Sequence, residues 1–326
     1  MLDGRHAAAA GHRVREDEGV GGVIEGFAII AVVIAVGYLL GRTGVLGDEA
    51  RLVMNRLVFF VASPALLFTV LATADTRVLI SPLLVVSALS ALAMVVVTVV
   101  VAKLLWHRST SQVTVSALAA GYVNANNIGL PVAVYVLGSA AYSAPIILLQ
   151  LLVYAPASLV VLEHSLGRGS IGRTLLRSLG NPLLIASILG AVLAVTHVAL
   201  PAPVLEPFRI IGGAAVPLML MGFGMSLHGQ RILEPGSGRR DVVLATGLKL
   251  IAMPAVAWLL GALVFRLDPR TLHAAVVLAG LPSAQNVLNY ATRYDRSVRI
   301  ARDAVLLTTL GSLPVLLVVS LLLTAR

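Results

Sequence analysis

The feature that most constrains this chain is a series of ten long apolar segments, each of about the 20 residues that a helix needs to cross a hydrocarbon core of about 30 Å. Of the 326 residues, 58% are apolar and only 12% are charged, against roughly a quarter in a soluble domain. The sequence therefore predicts an all-α polytopic membrane protein and excludes a soluble enzyme, a disordered chain and, with no cysteine, a disulfide-stapled secreted domain. The predicted spans, numbered 1 to 10, are residues 23–41, 51–71, 78–102, 112–137, 142–162, 182–200, 208–227, 242–265, 271–294 and 301–323.

The segments between the spans are short and rich in Gly, Pro, Asp and Arg, and none is long enough to hold a second domain. The first 22 residues are polar and charged and lack the apolar core of a signal peptide, which predicts a disordered tail ahead of a retained first span. The expected organisation is a tail (1–22), a first five-helix repeat (23–163), a cytoplasmic linker (164–181) and a second five-helix repeat (182–326).

Lys and Arg sort the loops into two classes. Sixteen of these 24 residues fall in or beside the loops that follow odd-numbered spans, and eight fall in the other loops and the two termini. Because cytoplasmic loops carry the excess of Lys and Arg, we expect a multi-pass protein of the cell membrane with both termini extracytoplasmic. The formal charge of +9 is then a topology signal with the lipid bilayer as partner, and no nucleic-acid partner is expected.

Glycine and proline recur at similar spacing in the two halves. Gly-Leu-Pro occurs at Gly129–Pro131 in span 4 and at Gly280–Pro282 in span 9, 151 positions later, and Pro64 in span 2 matches Pro217 in span 7 at a spacing of 153. An odd number of spans per half inverts the second half in the membrane. The pattern therefore predicts two inverted five-helix repeats, an architecture typical of secondary transporters.

Proline inside a span predicts a broken helix. It removes one N–H and clashes with the carbonyl four residues earlier, here that of Asn127 or Leu278, and the preceding glycine loosens the backbone further. In hydrocarbon an unsatisfied peptide group costs several kcal/mol, so a break is tolerated only against protein or a water-filled cavity. A lone proline often only kinks a packed helix, but two breaks at matching places indicate a substrate site where helices 4 and 9 cross.

Polar side chains surround both breaks. Amide and hydroxyl groups at this depth are costly unless they bind each other, water or a ligand. Amides donate to carboxylates, and the half-helices after the two prolines direct N-terminal N–H groups at the crossing, so we expect a small organic anion as substrate. The candidate binding residues are Asn124, Asn126, Asn127, Gly129, Pro131, Pro282, Ser283, Gln285, Asn286 and Asn289.

The acidic residues leave the coupling ion open. All fifteen lie in tails, loops or span ends, with Glu163 and Asp303 closest to the membrane interior. The options are uniport, a proton carried by the substrate or by a terminal carboxylate, and a Na⁺ site made of freed carbonyls and amides. No resident cofactor or structural metal is expected.

Lys249 is the one cation well inside a span, roughly 10 Å from the cytoplasmic end at about 1.5 Å per residue. It could neutralise an anionic substrate, or exchange partners with a carboxylate during transport. The alternative is that its flexible stem carries the ammonium group back to the cytoplasmic interface.

Several motifs, in order along the chain, carry a family resemblance. They are AVGYLLGRTGVLGDEARLVMNRLVFFVASPALLF in spans 1 and 2, GYVNANNIGLPVAVYVLG in span 4, LPSAQNVLNYATRY in span 9 and TTLGSLP in span 10. Together they resemble the auxin efflux carrier family, which includes plant auxin exporters and bacterial malate or malonate carriers. The resemblance covers nearly the whole chain after Val23.

This resemblance implies ten helices in two inverted repeats, with unwound helices 4 and 9 crossing near the midplane. By analogy with this family and with its relatives in the bile acid/sodium symporter superfamily, spans 1, 2, 6 and 7 would form a scaffold and spans 3–5 and 8–10 a moving domain. The resemblance thus implies elevator-like alternating access, and a homodimer is a further family expectation. Asn124 and Gln150 fall on positions that line the plant substrate site. The chain has Val287 where plant carriers have a second proline and lacks their long central loop, which argues against auxin as substrate.

The expected function is secondary active transport of a small organic anion. A channel or membrane sensor on the same fold is the alternative, since sequence alone does not separate it from a carrier. An intramembrane enzyme is disfavoured because the chain has no HExxH, GxSxG or P-loop motif.

Overall fold

The fold comes from a computed structural model, which describes residues 20–324 except 48, 75–80, 166–171, 173–175, 177–178 and 229–237. The predicted tail lies outside the described residues apart from 20–22, which begin the first helix, and so does most of the predicted linker. Over the described residues the regular structure is helical, with one isolated backbone bridge. The helices are α1 (Val20–Thr43), α2 (Ala50–Ala72), α3 (Pro82–Leu105), α4 (Thr110–Gly121), α5 (Leu130–Tyr135), α6 (Ala140–Ser165), α7 (Pro182–Val195), α8 (Ala202–Leu227), α9 (Arg239–Val264), α10 (Pro269–Ala279), α11 (Gln285–Arg293) and α12 (Val298–Thr324).

Within the described ranges, seven helices are long and apolar enough to cross a membrane, namely α1, α2, α3, α6, α8, α9 and α12. They coincide with predicted spans 1, 2, 3, 5, 7, 8 and 10 to within six residues, so the prediction of an all-α multi-pass membrane protein is confirmed. The other predicted spans correspond to the shorter apolar helix α7 and to two interrupted helices, α4 with α5 and α10 with α11.

Wide, π-helical turns accommodate several prolines inside these helices. Pro64, Pro131, Pro156 and Pro254 each follow such a turn, which ends two residues before the proline. Proline lacks an N–H and its ring clashes with the carbonyl four residues back, and a π turn relieves both problems because its hydrogen bonds reach one residue further. Pro131 is thus built into a helix, and it is not the residue that interrupts span 4.

The interruption of span 4 lies at residues 122–124, before Pro131, whereas that of span 9 lies at residues 280–284 and includes Pro282. The predicted equivalence of the two Gly-Leu-Pro triplets is therefore wrong. The first triplet follows an interruption, while the second is part of one. Three letters in an apolar chain coincided without sharing a structural role.

A different register relates the connections that precede the two interrupted helices, α3–α4 in the first half and α9–α10 in the second. The wide last turns of α3 and α9 are followed by left-handed residues, His107 (φ 53°) and Arg266 (φ 48°). The next helix then begins with an N-cap side chain, Ser109 accepting from Gln112 N or Asp268 accepting from Thr271 N. Both pairs of equivalent residues are 159 positions apart. The two halves thus share local backbone features that the Gly-Leu-Pro spacing missed.

The helices pack in two groups. In one group α1 lies against α8, and α2 lies against α7 and α8; in the other, α3, α4 and α6 pack with α9, α10 and α12. The contact of α1 with α8 is a close backbone approach: a Cβ added to Gly224 would overlap the carbonyl oxygen of Ile34, and one added to Gly37 would lie 2.6 Å from Met221 Cα. Small residues permit such approach between membrane helices, where dispersion forces drive association.

Candidate functional site

The two interruptions lie against each other at the centre of the second helix group. Val123 and Ser283 form an antiparallel backbone bridge. On either side of it, Asn124 N donates to Pro282 O at 2.8 Å and Ala284 N donates to Tyr122 O at 3.0 Å. Two extended segments, one from each half of the chain, therefore satisfy each other's backbone groups in the way that neighbouring strands do.

Side chains satisfy the carbonyls that remain at the interruptions. Gln150 Nε2 donates to Val123 O at 2.8 Å, Lys249 Nζ donates to Ala279 O at 2.7 Å, and Ser283 Oγ donates to Ala119 O. The carbonyl of Leu278, predicted to be freed by Pro282, instead accepts a bond from Leu281 N at 3.4 Å. The broken backbone is thus stabilised by specific donors, as its depth in an apolar protein requires.

Ser283→Ala is expected to lower the free energy of unfolding by about 1–3 kcal/mol, because it leaves the buried Ala119 carbonyl without its donor. Thermal unfolding in detergent measures the effect. Ser87→Ala is the matched control, since Ser87 is also buried but its hydroxyl has no partner among the described residues. Equal stability of the two variants would contradict a role of Ser283 in closing the interruption.

A cavity of about 490 Å³ lies beside the interruptions. Its size is in the range of small-molecule sites. Most of the predicted binding residues line it: Asn124, Asn126, Asn127, Gln150, Gln285, Asn286 and Asn289. The other candidates do not line this cavity: Gly129, Pro131, Pro282, Ser283 and Lys249 lie in the packed protein around it.

Asn124 lies where the polypeptide enters the second half of span 4. Its Oδ1 accepts a hydrogen bond from Asn127 N at 3.1 Å and so caps the following helical turn. The residue is 3% exposed, and its Nδ2 has no acceptor within hydrogen-bond distance among the described residues. A buried amide donor facing a cavity without a partner is costly, by about 1–3 kcal/mol, until a ligand supplies an acceptor.

Asn126 and Asn127 are partly committed to each other. Asn126 Nδ2 donates to Asn127 Oδ1 at 2.9 Å, while within the described residues the buried Asn126 Oδ1 has no donor. The site therefore offers an unused acceptor as well as the unused donor of Asn124. Such a pair suits a ligand that carries both an anionic oxygen and a hydroxyl or a protonated group.

Tyr122 of the span 4 interruption lies at the same cavity as Tyr290 and Asn286 of α11. Tyr122 is 2% exposed, and all three residues line the cavity. The interruption of span 4 and α11 thus contribute polar side chains to one cavity.

Arg56 of α2 and Arg293 of α11 also line the cavity. From the sequence, both arginines were counted only among the cations in or beside loops. Arg293 had a local signal, since Asn286, Asn289 or Tyr290 and Arg293 repeat at the spacing of one helix face. Arg56 had none, because only the tertiary position of α2 brings it to the cavity. No acidic residue is among the described residues that line it, so the electrostatic potential favours an anion.

Over the described part of the chain, no three His, Asp or Glu residues come together as a metal centre would require. Glu163 and Asp303, the acids expected nearest the interior, have other partners: Glu163 Oε1 accepts from Tyr294 Oη at 2.9 Å, and Asp303 Oδ1 lies 2.9 Å from Arg302 Nε.

Comparison with known proteins places the chain among transporters. The family model described as membrane transport protein matches residues 22–171 and 168–320. An uncharacterized transporter of Methanothermobacter thermautotrophicus is 28% identical over 87% of this chain and 93% of its own length, and a Rhizobium meliloti protein named as a candidate malonate transporter is 25% identical over 86% and 89%. A probable auxin efflux carrier component 5c of rice is 30% identical over 42% of this chain and 38% of its own.

Proposed function

Because the chain belongs to the membrane transport protein family, the auxin efflux carrier family of the sequence motifs, and is a transporter rather than an enzyme, we propose that it is a secondary active carrier for a small organic anion with a carboxylate group. The unpartnered Nδ2 of Asn124 carries this proposal. It is a buried donor at a cavity whose charged lining groups, Arg56 and Arg293, are both cationic. A carboxylate oxygen satisfies the amide and complements the guanidinium groups.

The names of two relatives agree with this substrate class. Malonate and auxin, which appear in the names of the Rhizobium and rice proteins, are both carboxylic acids. The rice protein aligns over 142 residues, and auxin itself is not part of the proposal.

The proposed architecture is ten membrane spans in two inverted five-helix repeats, with interrupted helices crossing at the substrate site. The shared features of the α3–α4 and α9–α10 connections support a repeat of 159 positions. The bridge between Val123 and Ser283 supports the crossing. An odd number of spans in each half requires the inversion.

The two helix groups support elevator-like alternating access. Asn55, Arg56 and Phe223 of the first group and Asn124 and Asn286 of the second line the same cavity, so the site lies at the boundary of the groups. Sliding of the second group along the first would carry a bound anion past the scaffold. In this proposal the first group also forms the interface of a homodimer.

The orientation in the cell membrane follows from the loops. The cavity is lined by Arg56, Asn181 and Arg293, at the ends of α2, α7 and α11 that adjoin cation-rich loops. With those loops in the cytoplasm and both termini outside, the cavity opens inward. The described conformation is then the inward-facing state of the carrier.

A screen of mono- and dicarboxylates tests the proposed substrate class. At least one carboxylate is expected to raise the melting temperature of the purified protein, while the amide of the same compound does not, because binding to the folded state stabilises it. The stabilising compound should then exchange across proteoliposomes by saturable counterflow. Stabilisation without counterflow would favour a sensor, unsaturable conduction would favour a channel, and stabilisation by no carboxylate would contradict the proposal.

A further inference from the structure

Lys249 lies inside α9 and is completely buried. Its ammonium group does not return to the cytoplasmic interface, so that sequence-based alternative is wrong. It does not line the large cavity either. Its Nζ donates to Ala279 O at 2.7 Å and contacts Met253 Sδ at 3.1 Å. A lysine with this placement belongs to the interruption of span 9 and not to the substrate site.

The surroundings of this ammonium group supply negative charge without a carboxylate. Among the described residues, no Asp or Glu lies within ion-pair distance of Lys249. Ala279 is the last residue of α10, whose aligned peptide dipoles place about half a negative charge at that end. A cation next to a helix C-terminus is stabilised by this partial charge.

The C-terminal end of the other interrupted helix lies nearby. A second cavity, of about 10 Å³, is bordered by Gly121 at the end of α4, by Ala279 at the end of α10 and by Met253, the second contact of Lys249. Its volume is that of about one water molecule. Two negative helix ends therefore converge on one small region, and Lys249 contacts residues that border it.

We propose that the Lys249 ammonium is the built-in cation of the crossing and takes the place that a coupling sodium ion would otherwise occupy. Two helix C-termini that border one small region favour a positive charge beside them. The ammonium of Lys249, which binds the carbonyl of Ala279, supplies that charge without an ion from solution. This role of Lys249 excludes one of the three coupling schemes that the sequence left open, the sodium site made of freed carbonyls, because Lys249 already binds such a carbonyl. The consequence for coupling rests on the proposed carrier function, whereas the cation requirement of the folded protein does not.

Melting of the substrate-free protein tests the cation requirement. Lys249→Ala is expected to lower the melting temperature by about 5 °C or more in choline buffer, since the carbonyl of Ala279 loses its donor and the helix ends lose their cation. Methylammonium or Na⁺ should then raise the melting temperature of the variant and leave that of the native protein unchanged. Lys103→Ala, which removes an exposed lysine, is the matched control and should show neither effect.

Lys249→Met separates charge from volume, and it serves as the test protein if the alanine variant does not fold. It keeps a long apolar side chain but no charge, so it is also expected to melt below the native protein. A methionine variant that melts like the native protein, or an alanine variant whose melting temperature no cation raises, would overturn the proposal.

Counterflow of the stabilising carboxylate tests the consequence for transport. The native protein should exchange it at rates that differ less than about twofold between sodium and choline buffers. A tenfold or larger fall without sodium would overturn the proposal. If the screen finds no transported carboxylate, the carrier function fails while the melting experiments still decide the role of Lys249.

Discussion

Replacing Asn124 with alanine is expected to weaken binding of the transported anion about 10- to 100-fold. Counterflow is expected to fall by a similar factor at substrate concentrations well below the native half-saturating concentration. The change removes a buried donor that has no partner among the described residues, and a hydrogen bond to a charged acceptor contributes about 1.5–3 kcal/mol. Isothermal titration gives the affinity and counterflow in proteoliposomes gives the transport rate.

The second function of Asn124 requires a matched variant. Its Oδ1 caps the turn that begins span 4's second half, so alanine also removes a cap and lowers stability by about 1 kcal/mol. Asn124→Asp keeps an oxygen for Asn127 N but replaces the donor by a negative charge that repels an anion. We therefore expect the aspartate variant to melt near the native temperature and to bind no carboxylate. Native affinity in that variant would contradict the binding role of Nδ2.

Gly224→Val is expected to prevent assembly of the folded protein, with a loss of roughly 3 kcal/mol or more in stability. A side chain at Gly224 would meet backbone atoms of α1: it would overlap Ile34 O and lie 2.7 Å from Tyr38 N. Backbone atoms cannot yield by changing a rotamer, so α1 and α8 would have to separate. Size-exclusion chromatography and thermal unfolding in detergent measure the expected aggregation or early melting.

Gly213 provides the matched control, because it lies in the same helix α8 and a Cβ added there meets nothing within 4 Å. Gly213→Ala should leave chromatographic behaviour unchanged and raise stability by up to about 1 kcal/mol through helix propensity. Equal behaviour of the Gly224 and Gly213 variants would show that the α1–α8 contact does not depend on close backbone approach.

The membrane-spanning helices were predictable because their signal is local. Seven uninterrupted apolar windows correspond to seven candidate spans, and an apolar run of sufficient length has few other stable conformations in a bilayer. The interruptions were predictable only in part. Span 9 breaks at Pro282, but span 4 breaks at residues 122–124 and its proline lies within a helix. Proline signals a change in hydrogen bonding, and whether this becomes a π turn or a break depends on the neighbouring segments.

The candidate site, like the interruptions, was predictable from the sequence only in part. Asn124, Asn126 and Asn289 stand out in the sequence as amides within apolar spans, and they line the cavity. Ser283 was equally visible, yet it donates to the carbonyl of Ala119, which is 164 residues away in the chain. A polar residue in a span needs a hydrogen-bonding partner, but the sequence alone does not show whether that partner is a ligand or a distant backbone group.

The sequence by itself determined that this chain is a helical membrane protein with polar interruptions in two spans, because apolar length and buried amides impose their energetic requirements locally. The tertiary structure decided how those requirements are met. Only the approach of distant segments pairs Val123 with Ser283, brings Arg56 beside the amides and directs the ammonium of Lys249 to Ala279. The backbone groups freed by an interruption are satisfied by whichever donors packing brings within about 3 Å, and that depends on the whole arrangement of helices.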